Sequence, residues 1–171
     1  EDDESCPADY YGLSKKVIKR EIDQTENFYN LRIFGCFGVD EADTRFVKSA
    51  IRNVKEGKPI QIHQNRYMDF IFIEDLCKVV NHYIEKINKK TLPKDINLCY
   101  SGNKSLLDIA NKINQFMRKS YDNVIVQEPG FYTEYTGDGE KLKSLGLELI
   151  GLDEGLKRCL DVWKIKRNTW S

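Results

Sequence analysis

Apolar positions along the chain switch repeatedly between a helical and a strand-like spacing. From Tyr10 to Glu26 the apolar residues Leu13, Val17, Ile18 and Ile22 fall on one stripe among charged neighbours, which predicts an amphipathic helix over 10–26. Phe28 to Phe34 is short, aromatic and β-branched and is closed by Gly35 and Gly38, so it predicts a buried strand ending in a loop. Helical spacing returns over 43–56 through Phe46, Val47, Ala50, Ile51 and Val54. Pro59 to His63 and Asp69 to Ile73 then predict two short strands. Glu74 and Asp75 lead into a helix carrying Leu76, Val79, Val80, Tyr83 and Ile87, and Ile96 to Tyr100 predicts another strand. Ser105, with Asp108 three residues on, predicts a capped helix start above the stripe Leu106, Ile109, Ala110, Ile113, Phe116 and Met117. Asn123 to Gln127 predicts a strand. Two short helices follow, Glu140–Leu145 stopped by Gly146 and Asp153–Trp163 with Asp153 as its cap. Strands alternating with helices predict an α/β protein.

Composition narrows the function classes. The 171 residues carry 27 Lys+Arg and 27 Asp+Glu, and this balance argues against a general nucleic-acid or membrane-surface binder, which needs a field of one sign. No run is long and apolar enough to predict a membrane span. Cys6, Cys36, Cys77, Cys99 and Cys159 are scattered and form no Cys-x-x-Cys pair, so they are expected to be buried small hydrophobes of a reducing, cytoplasmic compartment. With His63 and His82 as the available histidines, no metal site is expected; His63 is placed on a strand at the core or its edge with no role, and Trp163 and Trp170 as packing or tail residues. The start, Glu1-Asp2-Asp3-Glu4, has neither an initiator Met nor a signal-peptide pattern and reads as the middle of a longer chain.

Chemistry is concentrated in Tyr11-Gly12-Leu13-Ser14-Lys15. Four residues apart on a helix, Tyr11 and Lys15 share one face. An ammonium near a phenol favours the phenolate, so the ring oxygen exchanges a proton closer to neutral pH. Such a pair suits alcohol–carbonyl interconversion, in which a proton moves at oxygen while a hydride moves at carbon. Alone, the spacing fits equally a surface helix with a snorkelling lysine.

In order, Tyr-Gly-x-Ser-Lys at 11–15, the strand Leu31-Arg32-Ile33-Phe34, Gly35-Cys36-Phe37-Gly38, Met68 to Leu76, Thr136 to Leu142 and the closing Leu152-Asp153-Glu154-Gly155-Leu156 resemble the extended short-chain dehydrogenase/reductase family. Its members include NAD(P)-dependent nucleotide-sugar epimerases, dehydratases and reductases. The resemblance implies the carboxyl-terminal part of a Rossmann-like fold with a small substrate-binding subdomain, the amino-terminal βαβ units missing. Residues 1–40 would hold the active-site helix and the following core strand, and 41–171 mainly the substrate-binding part, with core strands returning near 69–100. It implies Tyr11 as general acid/base and Lys15 as holder of the nicotinamide ribose. Phe34, Gly35 and Cys36 would lie against the nicotinamide end of NAD or NADP, and Arg66, Asp69 and Arg45 beside a nucleotide-diphosphate sugar. It also implies a homodimer in the full-length protein.

The sequence departs from the family pattern at several points. No Gly-x-x-Gly-x-x-Gly turn occurs, and no Ser or Thr stands some two dozen residues before Tyr11, so these residues alone are expected to have no turnover. Gly35 stands where many relatives have Asn, and Met68 stands where many have Arg directly before the aspartate. A dihydroflavonol- or steroid-type alcohol as substrate, and a non-catalytic dinucleotide sensor on the same scaffold, are the competing readings.

Overall fold

A computed structural model describes residues 9–87, 92–100, 102–120 and 122–165. Cys6 and Trp170 lie outside the described residues. The elements run α1 (Tyr10–Gln24), β1 (Asn30–Ile33), β2 (Gly35–Phe37), α2 (Phe46–Lys55), β3 (Ile60–Asn65), β4 (Phe70–Phe72), α3 (Ile73–Glu85), β5 (Asp95–Leu98), α4 (Leu106–Phe116), β6 (Val124–Phe131), α5 (Glu140–Ser144) and α6 (Gly151–Ile165). The expected α/β alternation is present. The strands form three parallel pairs, β1 with β5, β2 with β4 and β3 with β6. Parallel partners need long crossovers, and here helices supply them.

One apolar cluster gathers Phe37, Phe70 and Phe72 with Val47, Ala50, Ile51 and Val54 of α2, the inward residues Ile60 and Ile62 of β3, and the inner faces of α4 and α6. A second lies around Ile71, Val79, Tyr83, Ile96, Leu98 and Leu142. β4 is buried at all three residues, and its unbroken Phe-Ile-Phe supplies both clusters, as expected for a parallel strand covered on both faces. β3 alternates instead, with His63 on its exposed side bonded to Gln127 and beside Glu128, the edge position expected for it. Trp163 packs as expected: its indole N–H donates to the Val39 carbonyl at 2.8 Å.

The predicted buried strand 28–34 is corrected. β1 is half-buried with Ile33 exposed, because among the described residues it is paired on one edge, with β5; the chain steps aside at Phe34, and the short β2 reaches the interior against β4. Cys77 is exposed, unlike the buried Cys99 and Cys159. Burial pushes the Cys159 thiol up to about 12, which leaves it inert as a nucleophile.

α4 carries the capping box that Ser105 and Asp108 predict: the Asp108 N–H donates to Ser105 Oγ at 3.2 Å, and the Ser105 N–H to the Asp108 carboxylate at 2.8 Å. Ser105→Ala removes one half of this reciprocal pair. It is expected to cost about 1 kcal/mol, read as a thermal midpoint about 3 °C lower at this chain length.

The closing helix starts at Gly151, two residues before the predicted cap. Asp153 sits inside its first turn, paired with Lys112 at 2.5 Å. The cap comes from elsewhere. Asp75, fully buried in the first turn of α3, accepts the Ile150 and Gly151 N–H groups at 2.7 and 2.9 Å and the Tyr100 hydroxyl at 2.6 Å. Tyr100 Oη in turn accepts the Phe72 N–H at 3.0 Å. Burial and the hydrogen bond to Asp75 hold the Tyr100 phenol far above its ordinary range, against the opposing pull of the Phe72 N–H, so it stays a donor to Asp75.

Candidate active site

α1 begins with Asp9, whose side chain accepts the Gly12 N–H at 2.6 Å, a cap that orients the first turn. The helix buries none of its residues: Leu13, Val17 and Ile18 of the predicted stripe stand about half exposed among the described residues. Its far end is held by Lys94, whose ammonium reaches the carbonyls of Ile22 and Thr25. Tyr11 is 72% exposed, and the Lys15 ammonium lies over its ring, 5.3 Å from the centroid. The two therefore share one face, as the spacing requires. Among the described residues neither side chain is tied to a carboxylate.

Phe34, Gly35 and Cys36 span the step from β1 to β2. A Cβ on Gly35 would lie 2.9 Å from the Asp69 carbonyl oxygen and 2.9 Å from the Phe70 ring, so the glycine is what lets β2 close on β4. Any larger side chain here would need those strands to part. Cys36 is half-buried, and burial is the main cause that raises its thiol.

Arg45 takes the N-cap position of α2 without a side-chain cap and is exposed. Two of the acidic residues before it are engaged elsewhere. Asp43 pairs with Lys48 at 2.9 Å, and the Glu41 carboxylate accepts the Lys48 N–H at 2.8 Å. Burial pushes Glu41 up to about 7, against the opposing pull of Lys48 and Arg45. A carboxyl raised in the folded state binds a proton that the unfolded state has released. Stability is thus expected to fall as pH rises from about 4.5 to about 7 and to level off above. Urea titrations across that range should show Glu41→Gln flattening the dependence.

Asp69 is buried and accepts the Gly137 N–H at 2.8 Å; desolvation raises its carboxyl. Arg66 is half-buried, its guanidinium 5.5 Å from the centroid of the Tyr132 ring. Met68 forms an isolated parallel bridge to Tyr135. A cleft of about 510 Å³ lies between the 68–70 segment, Tyr100, α4 and the start of α6. Asp69 lines it, whereas Tyr11, Lys15, Arg45 and Arg66 are not among its described lining residues.

The sequence reading missed the aromatic company of Arg66. Tyr67 stacks on Phe131, Tyr132 lies under the guanidinium, and Tyr135 meets Phe34 edge-on. The signal was present in the density of rings at 131–135 beside Tyr67. It joins in space because the chain after β6 runs along 65–69.

Several solved structures share this fold. The dTDP-glucose 4,6-dehydratase of Bacillus anthracis str. Ames, in complex with NAD, superposes with a TM-score of 0.78 at 17% identity, covering 99% of this chain and 57% of that one. A UDP-N-acetylglucosamine 4-epimerase from Methanobrevibacter ruminantium M1, in complex with UDP-N-acetylmuramic acid, gives 0.73 at 16%, covering 98% and 57%. A UDP-glucuronic acid 4-epimerase from Bacillus cereus, in complex with NAD, gives 0.70 at 22%, covering 100% and 57%. At these identities the likeness is one of fold, the Rossmann-like α/β fold of the extended short-chain dehydrogenase/reductases, and the chain spans little more than half the length of each. No curated protein matches the chain in sequence. The family model described as "NAD dependent epimerase/dehydratase family" matches residues 1–99, more than half of the sequence and the stretch that holds Tyr11, Lys15, the β1–β2 step and Asp69. The chain belongs to the NAD dependent epimerase/dehydratase family.

Proposed function

We propose that the full-length protein carrying this chain is an NAD- or NADP-dependent nucleotide-sugar epimerase, dehydratase or reductase. The observation that carries the reading is the Tyr11–Lys15 pair: a phenol and an ammonium on one open helix face, 5.3 Å apart from ring centroid to nitrogen, within the stretch the family model matches. This face fits the nicotinamide end of a dinucleotide, because both groups are exposed and uncommitted to any described carboxylate. When bound, the cofactor accepts or returns the hydride at a sugar carbon.

Tyr11 serves the oxygen side of that exchange. As phenolate it takes the hydroxyl proton while the C–O bond gains double-bond character; as phenol it returns the proton when a ketone is reduced. Lys15 favours the phenolate and offers donors to a ribose hydroxyl. Phe34, Gly35 and Cys36 form the wall beside the nicotinamide. Arg66 and Arg45 face the anionic part of a nucleotide-diphosphate sugar, a planar guanidinium being suited to paired phosphate oxygens. Asp69 acts through position: its carboxylate, already taken by the Gly137 N–H, fixes the 135–138 segment against 67–69. The full-length protein is a homodimer in this reading.

The test is direct. The full-length protein is incubated with a panel of nucleotide-diphosphate sugars and either NAD or NADP, and the sugars are analysed by NMR and mass spectrometry. An epimerised, dehydrated or reduced product from at least one is the expected result. No conversion of any sugar, by protein shown to bind dinucleotide, would remove this reading in favour of the sensor.

A further inference from the structure

Between β2 and α2 the chain runs through 38–45, from the proposed nicotinamide wall at Phe34–Cys36 to Arg45 at the N-cap position of α2. The near end is packed: a Cβ on Gly38 would lie 2.5 Å from the Ile73 side chain. Beyond it, residues 42–45 are all exposed, so burial does not set their course. Polar ties do. The Glu41 N–H turns back to the Gly38 carbonyl at 3.2 Å, and the Arg45 N–H to the Ala42 carbonyl at 2.9 Å. The remaining hydrogen bonds and ion pairs of 39–43, among the described residues, come from α2 and α6. The Trp163 indole N–H donates to the Val39 carbonyl. Lys48 supplies three: its backbone N–H donates to the Glu41 carboxylate at 2.8 Å, and its ammonium donates to the Glu41 carbonyl at 2.7 Å and pairs with Asp43 at 2.9 Å. Arg52 stands 3.9 Å from the Asp43 carboxylate, at the edge of pairing.

Arg45 has two carboxylates close by in sequence, Glu41 and Asp43, yet it pairs with neither among the described residues. Lys48 occupies both. Its ammonium, as hydrogen-bond donor and then as charge, holds the Asp43 carboxyl below its ordinary value. Burial dominates at the Glu41 carboxyl, and of the groups that oppose it Lys48 acts ahead of Arg45. Lys48 is also the better seated of the two cations. Its ammonium lies 5.6 Å from the centroid of the Trp163 ring, and its side chain is 25% exposed, whereas Arg45 stands in water. A long side chain that the fold already holds in place loses little further freedom on pairing, so it takes the carboxylates from a solvated competitor. The consequence falls on Arg45. A guanidinium bound to carboxylates of its own loop must lose them before it can offer its planar fork to another anion.

We infer that Lys48, seated on Trp163, is a positioning residue for the substrate: by occupying Glu41 and Asp43 it keeps the Arg45 guanidinium open for the diphosphate of a nucleotide sugar. The inference rests on the nucleotide-sugar reading above and adds to it the device that keeps one of its cations available.

Calorimetric titration of the full-length protein with inorganic pyrophosphate tests it. Lys48→Met keeps an apolar stem over Trp163 and removes the ammonium, which frees Asp43 to pair with Arg45. A competing exposed ion pair of ordinary strength should weaken pyrophosphate about two- to fivefold. Two companion variants separate this from the mere loss of a positive charge. Adding Asp43→Asn to Lys48→Met should bring the affinity back near the wild-type value, because the competitor is gone. In an Arg45→Met background, Lys48→Met should cause no further loss, because the group it protects is gone. With a sugar nucleotide that the full-length protein converts, Lys48→Met should raise KM by the same factor and leave kcat and dinucleotide affinity as they were. Wild-type pyrophosphate affinity in Lys48→Met or in Arg45→Met overturns the inference. So does an equal loss with and without Arg45, which would make Lys48 an anion contact in its own right. A loss that Asp43→Asn leaves in place also overturns it, since the 38–45 segment itself would then have come apart. The two readings fail separately: pyrophosphate binding that follows this pattern, with no sugar nucleotide converted, sinks the redox chemistry and leaves the device standing, whereas conversion with a KM indifferent to Arg45 sinks the device alone.

Discussion

Tyr11→Phe in the full-length protein is expected to lower kcat by about 10²- to 10⁴-fold and to leave the KM for the sugar nucleotide nearly unchanged, since only proton transfer at oxygen is lost. The structure makes this a clean substitution. Tyr11 is 72% exposed on a helix that buries none of its residues, so losing the hydroxyl opens no cavity. The phenyl ring that remains still lies under the Lys15 ammonium, so the cation keeps its position. Lys15→Met should behave differently, weakening dinucleotide binding as well as turnover, because in the proposed chemistry the ammonium holds the cofactor in addition to favouring the phenolate. Steady-state kinetics with separate cofactor titrations distinguish the two variants. A Tyr11→Phe enzyme that retains wild-type kcat ends the proposed chemistry.

How much of this was legible in the sequence depends on the range of each signal. α2 and α4 were readable because apolar residues at helical spacing can be buried without help from distant sequence, and the Ser105–Asp108 box closes within three residues. β6 was placed but cut short. It continues through Pro129 and Gly130, residues that read as a strand end, because a largely exposed strand tolerates them where a central one would not. The burial of Phe28–Phe34 was over-read, since hydrophobic content reports what could be buried and not whether a neighbour is present on both edges. The Tyr11–Lys15 pair proposed for catalysis was legible because four residues on a helix fix a shared face whatever the tertiary context. The aromatic band was not: the rings at 131–135 were visible, but Phe34, Tyr67 and Tyr135 are brought together by pairing between segments far apart in sequence. The same reason hid the cap of α6. A carboxylate close in sequence, Asp153, was the natural choice, and the one that serves comes from α3.

That distant cap carries the largest stability effect expected here. Asp75→Ala should destabilise the fold by about 3–5 kcal/mol, the range for removing one partner from a buried charged contact, because three donors lose their acceptor together. The Ile150 and Gly151 N–H groups at the start of α6 and the Tyr100 hydroxyl all converge on this one carboxylate, which has no exposed surface. Each donor left dry costs about 1–3 kcal/mol; some recovery follows if water enters. Lys78, 3.6 Å from the carboxylate, would also lose its buried counter-charge. Asp75→Asn keeps the volume but can accept fewer bonds and turns an amide N–H₂ toward donors, so it should recover only part of the loss. Tyr100→Phe removes one donor and leaves the Phe72 N–H without its acceptor, so a smaller cost, near that of one hydrogen bond, is expected. Urea denaturation of the three variants separates these outcomes by rank. Asp75→Ala should be worst, and Asp75→Ala combined with Tyr100→Phe should cost less than the sum of the singles, since both act through one network. A wild-type midpoint for Asp75→Ala would mean that α6 is held by its apolar face alone, through Leu156, Cys159 and Leu160 against the Phe37–Phe72 layer.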